Sequence, residues 1–135
     1  PDKQYHDMIR RIGANLSRAG FRALVSHGHG PSIWQFCDLK EELRETCQLD
    51  CYTAFDFLED DILGYQCDHA SANETAIVMA LRPELVQMER IISGGEAPIG
   101  MAGRDPREHA SKEYGMQVLE ANVEAMSRGL ERYRS

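Results

Sequence analysis

Apolar and polar positions in the first part of the chain predict a helix followed by a buried strand. Residues 5–19 place an apolar side chain at every third or fourth position, the spacing of one helix face, and Gly20 is a typical residue to end such a helix. The apolar positions of this face are Met8, Ile9, Ile12, Leu16 and Ala19. The apolar run at residues 21–25 is short enough for a buried strand. A helix and a strand in this order are the second half of a βαβ unit, whose first strand we expect outside this chain.

The same pattern of a helix and then a strand follows. Residues 33–46 have helical spacing, with apolar positions at Trp34, Phe36, Leu39 and Leu43. A second strand is predicted within residues 49–57, where Cys51, Thr53 and Phe55 would share one face because side chains alternate along a strand. The acidic run at residues 59–61 predicts a solvated turn rather than a metal site.

The second half of the chain predicts two helices separated by a glycine-rich loop. Residues 76–81 form an apolar run of small and branched side chains, which predicts a buried helix that ends before Pro83. Residues 93–106 contain four glycines and two prolines and predict a loop that lines a site or an interface. A long C-terminal helix is expected from near Ser111. Its apolar stripe consists of Leu119, Val123, Met126, Leu130 and Tyr133.

Composition and charge narrow the class of protein. The chain has 135 residues, 42% of them hydrophobic and 27% charged, which suits one globular domain with a sizeable core. The net charge of −7 argues against a nucleic-acid surface, which needs clustered lysine and arginine. No apolar run approaches the ~20 residues of a membrane helix, and no signal-peptide pattern opens the chain. The four cysteines form no Cys-x-x-Cys pair, so we expect free buried thiols and a cytoplasmic protein.

Two histidines lie directly after the first predicted strand, in the sequence His27-Gly28-His29-Gly30. In open α/β sheets, ligands bind beyond the carboxyl ends of the strands. The glycines permit close approach to the backbone, and imidazole nitrogen suits zinc, iron or manganese. The pair therefore predicts a metal-binding position, with a solvent-facing turn as the alternative.

A second group of polar residues lies at the start of the apolar helix. His69 follows a glycine-led turn, and Glu74 opens the helix. A carboxylate buried there without a partner would be strongly unfavourable, so Glu74 predicts a nearby cation, hydrogen-bond donor or metal. Two structural alternatives stay open at this point. Glu74 is equally suited to cap the helix N-terminus, and His69 to bridge backbone groups as a structural histidine.

Residues 64–86 resemble the signature of the creatininase (creatinine amidohydrolase) family. That signature is an acidic residue and a histidine, small residues, a Glu-Thr-Ser triplet, a buried helix and Leu-x-Pro-x-Leu-Val. The residues in register are Asp68, His69, Glu74, Thr75, Leu81, Pro83, Leu85 and Val86. Upstream, Gly28-His29-Gly30 resembles the centre of the family's Asn-Gly-His-Gly-Gly-Asn loop, and residues 109–115 resemble the start of its last helix.

The resemblance implies an α/β, creatininase-like layered fold with a mostly parallel sheet flanked by helices. Residues 1–135 would be the C-terminal portion of a single domain. The implied activity is that of a metal-dependent amidohydrolase, which hydrolyses a C–N bond of a small cyclic amide or amide-like substrate through a metal-bound hydroxide. The cofactor would be a divalent metal, with two ions of zinc, manganese or iron. We expect a companion N-terminal segment or chain that completes the metal site, a homo-oligomer, and neither nucleic-acid nor membrane partners.

The resemblance also assigns roles to individual residues. His29 would be a metal ligand, Glu74 a ligand or the residue that holds the attacking water, and His69 would act on the substrate or the leaving group. His69 and Glu74 are therefore the catalytic candidates. The substrate-binding candidates are Phe55, Tyr65 and His27, of which His27 also offers a nitrogen to a metal.

The chain departs from the family pattern at four of these positions. His27 and Ser32 replace asparagines, Pro31 replaces a glycine or glutamate, and Ala76 replaces a serine. If glutamate at the Pro31 position is a ligand in some members, Glu74 would substitute for it here. The family's other ligands, a Glu-x-His pair and an aspartate, belong to an N-terminal half that we expect outside this chain. A non-catalytic, interaction-type relative with an incomplete metal site is the alternative to a hydrolase.

Overall fold

A computed structural model describes residues 2–28, 30–57, 68–91, 95–96 and 99–134. The chain forms two compact units. The sheet unit comprises Pro1–Phe57 with Gly129–Ser135, and the helical unit comprises Leu58–Arg128. The predictions for His29, for Tyr65 and for the acidic run at 59–61 lie outside the described residues.

The sheet unit contains a parallel βαβ crossover. Up to residue 57, the elements of the sheet unit are α1 (Asp2–Arg18), β1 (Ala23–Ser26), α2 (Gly30–Cys37), α3 (Lys40–Cys47), β2 (Asp50–Thr53) and a 3₁₀ turn (Ala54–Phe57). The crossover runs from β1 through α2 and α3 to β2. Gly20 ends α1 as predicted, because its φ of +87° lies in the left-handed region that glycine adopts readily. β1 and β2 pair in parallel with Ala23 opposite Asp50 and Ser26 opposite Thr53. This parallel pair confirms the predicted α/β class.

The single helix predicted at residues 33–46 is in fact two helices, α2 and α3, joined by a tight turn. Leu39 lies in this turn, donates its N–H to the carbonyl of Phe36 at 3.0 Å, and is only 2% exposed. Phe36, Leu39 and Leu43 are all buried in the core, as their spacing predicts. Trp34 is 70% exposed, so its predicted place on the apolar face is wrong.

The apolar face predicted on α1 is also rotated in the structure. Ile9 is 9% exposed and belongs to the core with Phe36, Leu39 and Leu43, whereas Met8 is 49% and Ile12 39% exposed. The close approach of α3 explains the rotation. A Cβ on Gly13 would lie 2.6 Å from the side chain of Leu43, so the bare side of α1 faces α3.

The end of the chain returns to β2. The Tyr133 hydroxyl donates to the Asp50 carboxylate, and its ring packs edge-on against Tyr52, with centroids 6.4 Å apart. The Arg132 guanidinium lies 4.9 Å from the Tyr133 ring centroid. Burial and the hydrogen bond to Asp50 raise the pKa of Tyr133 above its usual value.

The cysteines described by the structure are free thiols, as predicted, but they are not all buried. Cys37 is exposed, and Cys47 and Cys51 are half-buried. Burial raises the pKa of Cys51 to about 11, so this thiol stays protonated at neutral pH.

The helical unit is built around two crossing helices. Its elements are α4 (Ala72–Leu81), two 3₁₀ turns (Pro83–Leu85 and Met88–Arg90), α5 (Pro106–His109) and α6 (Lys112–Leu130), of which the last residues belong to the sheet unit. α4 ends before Pro83 as predicted, since Arg82 has the non-helical angles φ −146° and ψ 66°. α6 begins next to Ser111, whose Oγ accepts the Tyr114 N–H at 3.0 Å.

The buried faces of these helices differ from the predicted ones. α4 buries Ala72, Asn73 and Ala76, while Val78 and Leu81 are 39% and 60% exposed, so the prediction of a wholly buried helix is wrong. On α6, Val118 is fully buried and Val123 is 63% exposed. The inward faces are those whose small residues permit close helix contact. Across the described residues, no helix combines the length and apolar character that crossing a bilayer requires.

Candidate active site

The carboxyl ends of β1 and β2 bring two predicted site residues to one edge of the sheet. Because Ser26 pairs with Thr53, His27 directly follows the end of β1, and Phe55 lies two residues past the end of β2. Both side chains are exposed, Phe55 by 41%. Open α/β sheets bind ligands at this edge. The strand register thus places His27 and Phe55 at the same edge of the sheet, although Phe55 lies on a 3₁₀ turn and not on the predicted strand.

The turn that carries Phe55 is held by Asp56, a residue that the sequence patterns did not predict. Its Oδ2 accepts the Thr53 N–H, the Thr53 hydroxyl at 2.9 Å and the Lys40 ammonium at 2.6 Å. Desolvation acts in the opposite sense, but these hydrogen bonds hold the pKa of Asp56 below its ordinary value. A Thr-x-x-Asp sequence at the end of a predicted strand was the available signal for such a side-chain-capped turn.

Replacing Asp56 with asparagine is expected to lower the free energy of unfolding by about 1 kcal/mol near pH 7. The effect is limited because 37% of the Asp56 side chain is exposed to screening solvent. Since the folded-state pKa is depressed, the carboxylate stabilises the fold above about pH 4 and loses this effect as the pH falls through the folded pKa. Urea denaturation at about pH 7 and at about pH 3.5 should therefore show a difference that shrinks on acidification.

Glu41→Gln is the matched control for this prediction. Glu41 pairs with Arg44 on the exposed side of α3, where 65% of its side chain is accessible. Its loss should change stability by less than about 0.5 kcal/mol at either pH. A pH-independent effect of Asp56→Asn would contradict the role given to its charge.

The turn before α4 carries the other predicted site residues in the helical unit. The carboxylate of Asp68 accepts two backbone N–H groups, that of Asn73 at 2.7 Å and that of Glu74 at 3.1 Å. The Glu74 carboxylate accepts the Ala70 N–H at 2.7 Å through Oε2. Glu74 therefore has the hydrogen-bond donor that its sequence position predicted, and this donor belongs to the turn that precedes α4.

His69 is held through its backbone and not through its ring. Its N–H donates to the carbonyl of Ala102 at 2.8 Å, and its carbonyl accepts the Ala102 N–H at 2.9 Å. The side chain itself is exposed. The glycine-rich loop thus pairs with the turn that carries His69, a contribution that sequence analysis did not assign to it.

Gly103 allows this loop to lie directly on the turn. A Cβ at Gly103 would be 2.7 Å from the Asp68 Cβ and 2.9 Å from the Ser71 Cβ, and its φ of +140° is one that L side chains rarely adopt. Next to it, the Arg104 carbonyl accepts the Ala72 N–H at 3.0 Å. The first N–H groups of α4, those of residues 72–74, therefore all have protein partners.

Glu74 borders an open groove of about 330 Å³. Its walls come from one face of α4 and from the two 3₁₀ turns that follow. The apolar residues that line it are Val78, Leu85, Val86, Met88 and Ile91. The groove gives Glu74 a largely apolar neighbourhood on one side.

The described residues do not form a metal centre by themselves. In the part of the chain that the structure covers, no three His, Cys, Asp or Glu side chains come together as a metal-binding group. Zinc sites use about three protein ligands and an open position. Histidine and carboxylate side chains are suitable kinds of metal ligand. The described residues, however, bring too few of these ligands together without His29, which lies outside them.

The sequence of the chain matches the family model named Creatininase, described as creatinine amidohydrolase, over residues 1–130. The chain belongs to the creatininase family. Residues 64–86, on which the resemblance rested, lie within this match. A search of curated proteins finds no match.

Solved creatininase structures share the fold of the chain. A glutamate-to-glutamine mutant of creatininase complexed with creatine has a TM-score of 0.71 and 21% identity, over 99% of this chain and 66% of its own. A tryptophan-to-phenylalanine mutant has a TM-score of 0.70 and 22% identity, over 98% and 65%. A glutamate-to-glutamine mutant of Zn-Zn type has a TM-score of 0.66 and 22% identity, over 98% and 64%. The creatininase-like fold is thereby confirmed, and this chain spans about two thirds of the length of those structures.

Proposed function

We propose that the protein containing this chain is a metal-dependent amidohydrolase that hydrolyses a C–N bond of a small cyclic amide or amide-like substrate. The observation that carries the proposal is the family match over residues 1–130, which includes His29, His69 and Glu74 together. A related creatininase is complexed with creatine and another is of Zn-Zn type, which supports a small nitrogenous substrate and divalent metal.

The metal would be held by His29 and Glu74 with further ligands from a companion N-terminal segment or chain. Oε2 of Glu74 accepts the Ala70 N–H, so Oε1 is the atom left for a metal or for the attacking water. A bound divalent metal of this kind supplies a nucleophilic water near neutral pH. Zinc, manganese and iron all accept this donor chemistry, and two ions are proposed.

His69 would stabilise the developing oxyanion or protonate the leaving nitrogen. The N–H groups at the start of α4 are already bonded to Asp68 and to Arg104, so this helix end is not available as an oxyanion hole. The exposed ring of His69 lies on the same turn and is free of the backbone pairing with Ala102. His27 and Phe55, at the sheet edge, would contact the substrate, and Tyr65 is a further residue proposed to do so.

We further propose a cytoplasmic homo-oligomer in which α6 contributes to the interface. Met116 is 40% and Val123 63% exposed on this helix, and Val123 lines an open groove together with Leu119, Glu120 and Glu124. Exposed apolar side chains in a continuous stripe are typical of surfaces that bind another chain.

The proposal is tested by metal analysis and assay of the complete protein. We expect about two metal ions per protomer and hydrolysis of creatinine or another small cyclic amide. A chelator should abolish the activity, and zinc or manganese should restore it. One observation favours the alternative of a non-catalytic relative, namely that the Glu74 carboxylate already accepts a backbone N–H, that of Ala70. Protein that binds no metal, or that hydrolyses no member of an amide panel when loaded, would establish this alternative.

A further inference from the structure

We propose that Asp68 is a positioning residue for His69 and Glu74, an inference that rests on the function proposed above. Asp68 directly precedes His69 in the chain. Its carboxylate accepts the backbone N–H of Glu74 at 3.1 Å and that of Asn73 at 2.7 Å. Both bonds are charge-assisted and lie at the positive end of the helix dipole. Asp68 therefore connects His69, on the turn, to Glu74, on the helix.

The turn that Asp68 closes has a backbone conformation that needs support. Ala70 has a φ of +49°, in the left-handed region that alanine seldom adopts. Its N–H donates to the Glu74 carboxylate, so the direction of that carboxylate and the conformation of the turn depend on each other. Conformations of this kind persist when the surrounding contacts over-determine them.

The remaining contacts of the turn come from the backbone of residues 102–104. Ala102 pairs with the backbone of His69, and the Arg104 carbonyl accepts the Ala72 N–H. The Cβ of Asp68 itself packs where Gly103 has no side chain. Removal of the Asp68 carboxylate would leave these backbone contacts in place and release two N–H groups at the start of α4. Removal of the carboxylate is thus expected to change the geometry of the turn before α4, and not the ability of the helical unit to fold.

Asp68→Ala in the complete protein tests the proposal. We expect kcat to fall by about 10- to 100-fold at saturating metal, with less than about a threefold change in KM, because small misplacements of catalytic groups slow the chemical step. In the metal-free protein, the amides of Asn73 and Glu74 should exchange hydrogen at least about tenfold faster. Asp68→Asn keeps one of the two acceptor oxygens and places an NH2 donor at the other, so it should restore kcat only in part, to a value between those of Asp68→Ala and the wild type.

Ser111→Ala is the matched control, since it removes a helix cap in the same unit but at α6. It should accelerate exchange of the Tyr114 amide and leave kcat within about twofold. Equal losses of kcat in Asp68→Ala and Ser111→Ala would overturn the proposal in favour of general destabilisation. A kcat of Asp68→Asn no higher than that of Asp68→Ala would also overturn it, because the remaining acceptor oxygen would then contribute nothing to the geometry.

The outcomes also separate this inference from the proposed function. Wild-type protein that is loaded with metal and hydrolyses no amide would overturn the proposed function. Active wild-type protein with unchanged kcat in Asp68→Ala would overturn the positioning role alone. Unchanged exchange of the Asn73 and Glu74 amides in the metal-free variant would overturn it whether or not the protein is active.

Discussion

Replacing Gly115 with alanine is expected to destabilise the helical unit by about 3 kcal/mol, the upper end of the usual range for overpacking. Gly115 is the point at which α6 crosses α4. A Cβ there would lie 2.0 Å from the carbonyl oxygen of Ala76, 2.5 Å from its carbonyl carbon and 3.0 Å from the Ala80 Cβ. Because the nearest atoms belong to the backbone of a helix, no side-chain rotation relieves the overlap, and the helices must move apart.

Urea denaturation of the variant and the wild type measures this effect. Gly30→Ala is the matched control, since it makes the same chemical change at the first residue of α2. Among the described residues, apart from its chain neighbours and the backbone of α2, no atom lies within 4 Å of the added carbon. There the substitution should be neutral or stabilising by up to about 1 kcal/mol, because alanine has the higher helix propensity. Equal stability of Gly115→Ala and the wild type would show that α4 and α6 do not cross as closely as the structure has them.

This crossing explains why sequence periodicity predicted the helices but not their buried faces. The stripe through Leu119 and Val123 has the correct spacing for α6, yet the side that packs is the one with Gly115 and Val118. On α1, Gly13 decides the buried side in the same way. Hydrophobic spacing identifies an apolar stripe, whereas burial depends on how closely a particular neighbour approaches. A single sequence does not contain that information.

The structure also shows the surroundings of Ala76, where the family pattern has a serine. Ala76 is fully buried at the crossing, and its carbonyl group is the nearest neighbour of Gly115. The methyl group of alanine places no polar side-chain atom at this contact, so none has to find a hydrogen-bond partner there. The change at Ala76 is therefore compatible with a well-packed helix pair and is no sign by itself of a decayed site.

At the candidate site, the chain predicted which residues need partners but not which partners they have. The position of Glu74 at the start of an apolar helix called for a donor, and the structure supplies the Ala70 N–H. Ala70 makes that bond in the left-handed conformation, which a non-glycine residue does not signal in a sequence. The pairing of Ala102 with His69 joins segments far apart in the chain, and no local pattern predicts such a contact.

His29→Ala and Glu74→Ala are expected to lose metal and activity together, whereas His69→Ala should retain metal and lose rate by ~10²–10⁴-fold. His29 and Glu74 are proposed as ligands. Because a catalytic zinc has only about three protein ligands, the loss of one weakens metal binding. His69 is proposed to act on the oxyanion or the leaving nitrogen, so its loss affects the reaction and not the affinity for metal. Metal content by elemental analysis and kcat on the same samples separate the two behaviours.

Glu74 requires a second variant, because alanine also removes the cap on the Ala70 N–H. Glutamine keeps an acceptor oxygen for that N–H but carries no charge, so Glu74→Gln should preserve the turn and still lose most of the metal. If Glu74→Gln instead binds metal and hydrolyses substrate like the wild type while Glu74→Ala only unfolds more easily, Glu74 supports the turn and is not a ligand. Full metal and full rate in His29→Ala as well would leave the hydrogen bond to the Ala70 N–H as the sole function of Glu74. No residue of this chain would then support a metal-dependent function.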